Sequence, residues 1–310
     1  MKISFGAKSF MKNKAIIGGI LALAVLGLIV FFCFWLGNKI KDRIGRTDDT
    51  NANTTVQPPQ PSLPPTTTDQ AAQIFLALGN PSNAVANTSS PDNYLIVNTA
   101  YALSYNSGKG TANWVSWRIA ESDLGTVNRQ NNFRPDASLP KIFTRTTPAD
   151  YTGSGFDRGH LCPSADRSSS PEANGLTFLM TNIIPQTGDL NRNVWENFES
   201  YSRGLVKKGK VDLYVVAGVY GVKGKLKNKI TVPTNCWKII VAVPQGASLS
   251  AINSETHVIA VDMPNVTGIA NEDWRKFRTT VRSIEQKTGY NFLSNLPQNL
   301  QDSLVTQMEN

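Results

Sequence analysis

The sequence predicts an α+β domain, a mixed or antiparallel central sheet flanked by helices. Two observations carry that expectation. Runs rich in β-branched and aromatic residues, bounded by Gly, Pro or Asn, occur at 94–105, 112–119, 211–217, 230–243 and 257–262, and helical patterns fall between or after them without strict alternation. The chain, 310 residues with 40% hydrophobic content, is also long enough to bury a sizeable core.

Taken in order, residues 1–14 form a basic segment with Lys2, Lys8, Lys12 and Lys14. Residues 15–36 (AIIGGILALAVLGLIVFFCFWL) carry no charge and are long enough to cross a bilayer as a helix. A transmembrane anchor or uncleaved signal is expected there, because the run exceeds the core of an ordinary secretory signal and no small-x-small cleavage site follows. Lys39, Lys41, Arg43 and Arg46 make the other flank basic too, so charge does not orient the span. Either reading puts the rest of the chain outside the cytoplasm, periplasmic or extracellular, and secreted if the leader is cleaved. Residues 37–69, rich in Pro and Thr, hold too few large apolar residues to fold and read as a linker. One folded domain is expected over 70–310, with no second linker and no repeat.

Inside it, the strand runs above are joined by three helices. Ser170-Pro171-Glu172 is a cap, a proline and an acid in the order that starts a helix, leading into 173–180. Trp195, Phe198, Tyr201 and Leu205 recur at helical spacing over 190–208. Trp274, Phe277, Val281 and Ile284 do so over 271–288, where Gly289 supplies a stop. The stretch 221–229 (GVKGKLKNK) reads as a basic hairpin loop rather than a phosphate-binding loop.

Charge and cysteine decide little. The formal charge is +8, but residues 1–70 hold 8 Lys+Arg against 4 Asp+Glu, so half the excess lies in the membrane flank. Cys33 lies in the apolar span, and Cys162 and Cys236 are read as small buried residues, with one disulfide as the alternative.

The chemistry concentrates in two segments. His160, one of only 2 histidines, follows Asp157-Arg158-Gly159 directly and a glycine-bearing turn at 151–155. An apolar strand that merely tolerates a core histidine does not carry such a polar cluster. Downstream, 191–203 (NRNVWENFESYSR) places an amide at Asn191, a carboxylate at Glu199 and a guanidinium at Arg203 along one flank of a helix, where a solvated polar face is the alternative. Arg129 adds a further arginine in a polar turn. No zinc-ligand spacing, GxSxG elbow or Walker A run is present. A neutral histidine base, oxygen ligands for a hard cation and several arginines suit phosphodiester hydrolysis: imidazole accepts the water proton, a Mg²⁺ ion neutralises the leaving oxygen, and guanidiniums bind phosphate.

DRGH at 157–160 followed by TNIIPQTGDLNRNVWENFE at 181–199 resembles the DNA/RNA non-specific endonucleases, the ββα-metal (His-Me finger) family related to endonuclease G, and within it the sugar non-specific cyanobacterial type. The likeness spans roughly 72–310, including ANWVSW at 112–117, NFRPD at 132–136 and TGYNFLSN at 288–295. The resemblance implies a ββα-metal active site with His160 as general base and Asn191 as the single protein ligand of the metal. It also implies that Glu199 organises metal-bound water, that Arg203 and Arg129 contact phosphate, that Asp157 and Arg158 support the histidine, and that Asn182 lies near the site. The expected function is a Mg²⁺-dependent endonuclease, with Mn²⁺ as a substitute, cutting single- and double-stranded DNA and RNA to 5′-phosphate ends. DNA and RNA are bound through the phosphate backbone. The alternative is a catalytically inactive, membrane-anchored nucleic-acid-binding or uptake protein, which the intact His160, Asn191 and Glu199 argue against. A proteinaceous inhibitor and the oligomeric state are left open.

Overall fold

The structure, a computed structural model, describes residues 63–308. The predicted span at 15–36, the basic segment before it and most of the linker lie outside the described residues. Among the described residues no helix is long and apolar enough to cross a membrane.

The last residues of the stretch read as linker, from Leu63 on, take part in the fold. Thr67 caps helix α1 (Thr68–Phe75) by accepting the Gln70 amide at 3.3 Å, and Arg118 donates to the Leu63 carbonyl at 2.9 Å. The strands β1 (Tyr94–Val97), β2 (Ala102–Asn106) and β3 (Thr111–Ile119) follow as a meander. The run at 94–105 is therefore two strands, because the Asn98 side chain accepts the Ala100 and Tyr101 amides at 2.8 and 3.0 Å and turns the chain between them.

A long excursion then carries the site. It holds β4 (Asp157–His160), helix α2 (Pro171–Leu176), β5 (Ile183–Gln186), a single π-helical turn (Leu190–Val194) and helix α3 (Trp195–Gly209). Helix α2 stops short of the predicted 180 because Arg134 draws the next residues away: its amide donates to the Phe178 carbonyl and its carbonyl accepts the Met180 amide. After α3 come β6 (Val211–Tyr220), the hairpin β7 (Gly224–Leu226) and β8 (Ile230–Val232), then β9 (Asn235–Pro244) and β10 (Val258–Pro264). The predicted strand at 230–243 thus breaks at Pro233 and Thr234.

The predicted helix at 271–288 is also two pieces. Asp273 caps a short turn (Trp274–Phe277), strand β11 (Arg278–Thr279) pairs with β10, and Thr280 caps α4 (Val281–Thr288) by accepting the Ser283 amide at 3.1 Å. Two local caps override one continuous apolar spacing. Gly289, at φ 73°, ends the helix as expected, and α5 (Gln298–Thr306) closes the described chain.

Seven strands form one sheet in the order β1-β2-β3-β6-β9-β10-β11, and all of its pairings are antiparallel. The α+β expectation with an antiparallel sheet therefore stands. Alternation along the strands divides the core. Val115, Trp117, Cys236 and Ile240 face one side with Trp195 and Phe198 of α3, whereas Trp114, Trp237, Ile239 and Val241 face the other with α4 and α5. Cys162 and Cys236 are both free and fully buried, and burial pushes the Cys236 thiol up to about 12, so neither is a reactive thiolate.

Candidate active site

The site is built where β4 and β5, a two-stranded antiparallel ribbon, meet the start of α3. Asp157 lies opposite Gln186 and His160 opposite Ile183. The glycine between them is sterically required: a Cβ on Gly159 would sit 2.0 Å from Gln186 Oε1 and 2.6 Å from its Cδ, and Gln186 is itself fully buried. Trp195, at the first turn of α3, donates its indole N–H to the His160 carbonyl at 3.3 Å and ties helix to ribbon.

His160 is 6% exposed and packed edge-on against Phe178 (ring centroids 5.0 Å) and beside Phe133 (5.5 Å). Burial first, then the neighbouring Arg129 guanidinium, push its imidazole down to about 3, so the ring is neutral at pH 7. Its Nε2 is shut off from solvent without a hydrogen-bond partner, which leaves Nδ1 as the ring atom able to take a proton.

Asn191 owes its position to the π-helical turn. In an unbroken α-helix the eight-residue spacing to Glu199 leaves the two about 80° apart in azimuth, but one residue absorbed in a wider turn reduces this to about 20°. Asn191 and Glu199 accordingly line one cavity of about 220 Å³ together with Arg129, Arg158 and His160. The Asn191 amide nitrogen donates to Asp157 Oδ2 at 2.9 Å, leaving its oxygen for another partner, and Arg192 holds the same carboxylate through two bonds of 2.8 and 2.6 Å. Those partners keep the Asp157 carboxyl below its ordinary range.

The two arginines of the cavity are carried by aromatic rings. Arg158 stacks over Phe133 at 4.4 Å and Arg129 over Phe178 at 4.9 Å, with Arg129 also donating to Ser164 Oγ at 3.0 Å. Arg203 sits next door: it lines an adjoining cavity of about 450 Å³ that shares Arg129 and Glu199, and its guanidinium is held by Asp166 at 3.1 Å. Asn182 is not in the cavity. Fully buried, it accepts the Cys162 amide at 2.9 Å and donates to the Cys162 and Thr177 carbonyls at 2.8 Å, so it clamps the chain just past His160.

Glu199 is 8% exposed, and burial raises its carboxyl while an ammonium opposes that rise: Lys238 Nζ donates to Glu199 Oε1 at 3.1 Å. Lys238 is itself 2% exposed and lies over the Trp195 and Trp117 rings at 4.3 and 5.4 Å. The donor set can be tested against a metal. Among the described residues no group of three or more His, Cys, Asp or Glu could hold one, so a caged transition metal does not fit. A hard cation that keeps most of its waters needs only an oriented amide oxygen and a nearby carboxylate, and Asn191 and Glu199 fit it.

The sequence model of the DNA/RNA non-specific endonucleases matches residues 78–299. The chain belongs to that family. Endonucleases of this family are in general divalent-metal dependent, and the chain is a hydrolytic nuclease. A nuclease of Nostoc sp. is 50% identical over 256 residues, which cover 82% of this chain and 93% of that protein. Human mitochondrial endonuclease G is 33% identical over 214 residues, covering 64% of this chain and 68% of the relative. In fold the endonuclease is similar to a chain of the EndoG/EndoGI complex, solved to explain EndoG inhibition, with a TM-score of 0.61 and 24% identity over 74% of this chain and 93% of that one.

Several residues of the endonuclease site escape sequence reading. Lys238 carried a signal, since it is the one charge inside the apolar run CWKIIVAV of β9. Phe133 lay in the NFRPD stretch of the family likeness without a role, and Asp166 and Phe178 carried no signal, because an isolated acid or aromatic announces no partner.

Proposed function

We propose that the endonuclease domain hydrolyses phosphodiester bonds of single- and double-stranded DNA and RNA with Mg²⁺, or Mn²⁺ in its place, leaving 5′-phosphate ends. The observation that carries this reading is the single cavity in which His160, Asn191, Glu199, Arg129 and Arg158 converge. His160 Nδ1 accepts the proton of the attacking water, its other nitrogen being buried. A phosphodiester anion seated between Arg129 and Arg158 offsets the cation that depresses the imidazole, so substrate strengthens the base as it binds. Both guanidiniums are held over aromatic rings and so meet the growing phosphate charge already oriented.

Asn191 would hold the cation through its amide oxygen, with Glu199 accepting hydrogen bonds from its waters. When bound, a divalent cation supplies charge neutralisation at the leaving oxygen. Arg203 binds a flanking phosphate from the adjoining cavity. An external water as nucleophile makes the ribose 2′-OH unnecessary, which accounts for indifference to the sugar. EndoG is known in complex with EndoGI, and a proteinaceous inhibitor is a partner class consistent with this reading.

The full-length chain is expected to cut plasmid DNA and ribosomal RNA in Mg²⁺ and neither in EDTA. Intact polymers in Mg²⁺ would overturn the nuclease reading, and undiminished cutting in EDTA the metal part of it. We place the domain outside the cytoplasm, tethered through 15–36, on the strength of that uncharged 22-residue run. The native protein should therefore pellet with membranes and retain residues 15–36, whereas a soluble product that lacks them removes the tether.

A further inference from the structure

The basic hairpin at 221–229 has no part in the reaction as derived above, yet the fold mounts it against the site. Leu226, Ile230 and Val232 of β7 and β8 share a small separate core with Tyr151, Met180 and Ile183, against which Phe133 and Phe156 pack. Two of its lysines fasten it: Lys227 donates to the Ala149 carbonyl at 2.6 Å and Lys229 pairs with Asp150 at 2.7 Å. Lys227 and Asn228, at φ 46° and 55°, form the mirror-image turn that keeps such a hairpin tight.

The other two lysines are presented rather than consumed. Leu226 points into the small core, so alternation turns Lys225 outward, where it is exposed and has no ion-pair partner among the described residues. Lys223 is exposed too, bonds only a neutral carbonyl, that of Asn265, and lies 5.5 Å over the Phe156 ring. An ammonium has three donors, so that single bond leaves its charge available. Phe156 in turn lines a cavity of about 370 Å³ with Phe133, Tyr151, Thr152, Arg158 and Asn191, a pocket that shares Arg129, Arg158 and Asn191 with the catalytic cavity but is not lined by Arg203.

From this arrangement we infer that the hairpin is a second backbone-holding element: the nucleic-acid strand leaving the scissile phosphate crosses the Phe156 pocket, and its next phosphates are bound by Lys223 and Lys225. The inference rests on the nuclease reading. A substrate strand is favoured over an anionic membrane because Lys223 lies over the ring of Phe156, which lines the same pocket as the catalytic-cavity residues Arg158 and Asn191. The aromatic floor beneath it offers a base or sugar a stacking surface between successive phosphates.

The test is the salt dependence of DNA binding, read by fluorescence anisotropy on a 30-base-pair duplex with the His160→Ala full-length chain, which separates binding from cutting. Adding Lys223→Gln and Lys225→Gln is expected to flatten the slope of log K against log salt by about 1.8, about 0.9 per lost phosphate contact. An unchanged slope overturns the inference. So does an unchanged slope accompanied by weaker binding to vesicles of anionic lipid, which would assign the lysines to a membrane. Failure of the nuclease reading shows separately, as intact polymer with the unsubstituted chain in Mg²⁺.

Discussion

Replacing His160 with alanine is expected to slow cleavage of plasmid DNA and ribosomal RNA alike by about 10²- to 10⁴-fold, the share of a well-placed general base. DNA binding should persist, because Arg129 and Arg158, which we propose bind phosphate, stand on Phe178 and Phe133 rather than on the imidazole. Cleavage at the unsubstituted rate would remove His160 from the reaction. The same residue sets a pH dependence. Its folded pKa of about 3 lies below the usual value near 6.5, so the ring is neutral in both folded and unfolded chains above that value. As pH falls from about 6.5 toward 3 only the unfolded chain takes the proton, and the stability held at neutral pH is progressively lost. Ring-proton NMR of the substrate-free protein should show no His160 titration between about pH 5 and 8. A midpoint near 6.5 would mean that the ring is not buried as described.

Lys238→Met is expected to lose about 3–5 kcal/mol of stability, the effect of stranding a buried charge, although Lys238 touches no substrate in the mechanism above. Glu199 would be left without its buried ammonium partner, between burial and the neighbouring Asp166 charge, both of which already push its carboxyl upward. Its folded pKa would then rise further above the unfolded value, so the variant should be destabilised more at pH 8 than at pH 5: protonated Glu199 is tolerated and ionised Glu199 is not. The double variant Lys238→Met with Glu199→Gln removes both charges and should recover most of the stability but little activity. Urea midpoints give the first result and cleavage rates the second. Equal instability of the single and double variants would show that Lys238 serves packing against Trp117 and Trp195, not Glu199.

What was legible in the sequence was what short-range pattern encodes. DRGH and the run from Asn191 to Glu199 pointed to the endonuclease family, and the five strand runs to the sheet. The strand at 94–105 and the helix at 271–288 break because Asn98, Asp273 and Thr280 accept nearby backbone amides through their side chains, which leaves the apolar spacing around them undisturbed. Asn182 illustrates a different limit. The sequence places it near the site without a role, and only the three-dimensional neighbourhood shows its amide bonded to Cys162 and Thr177 just past His160. Lys238 is the reverse case: its partner Glu199 lies 39 residues earlier, on another element, and no local window contains both.

That separation has a consequence for how the chain is made. The groups of the cavity are delivered by segments from Arg129 to Lys238, and β3 receives its second neighbour, β6, only after the whole excursion that holds DRGH and α3. A ribosome-bound chain that ends before β9 therefore carries His160, Asn191 and Glu199 but not the Lys238 ammonium that bonds Glu199. The cutting apparatus is therefore complete only once β9 has been made, after every residue that lines the cavity.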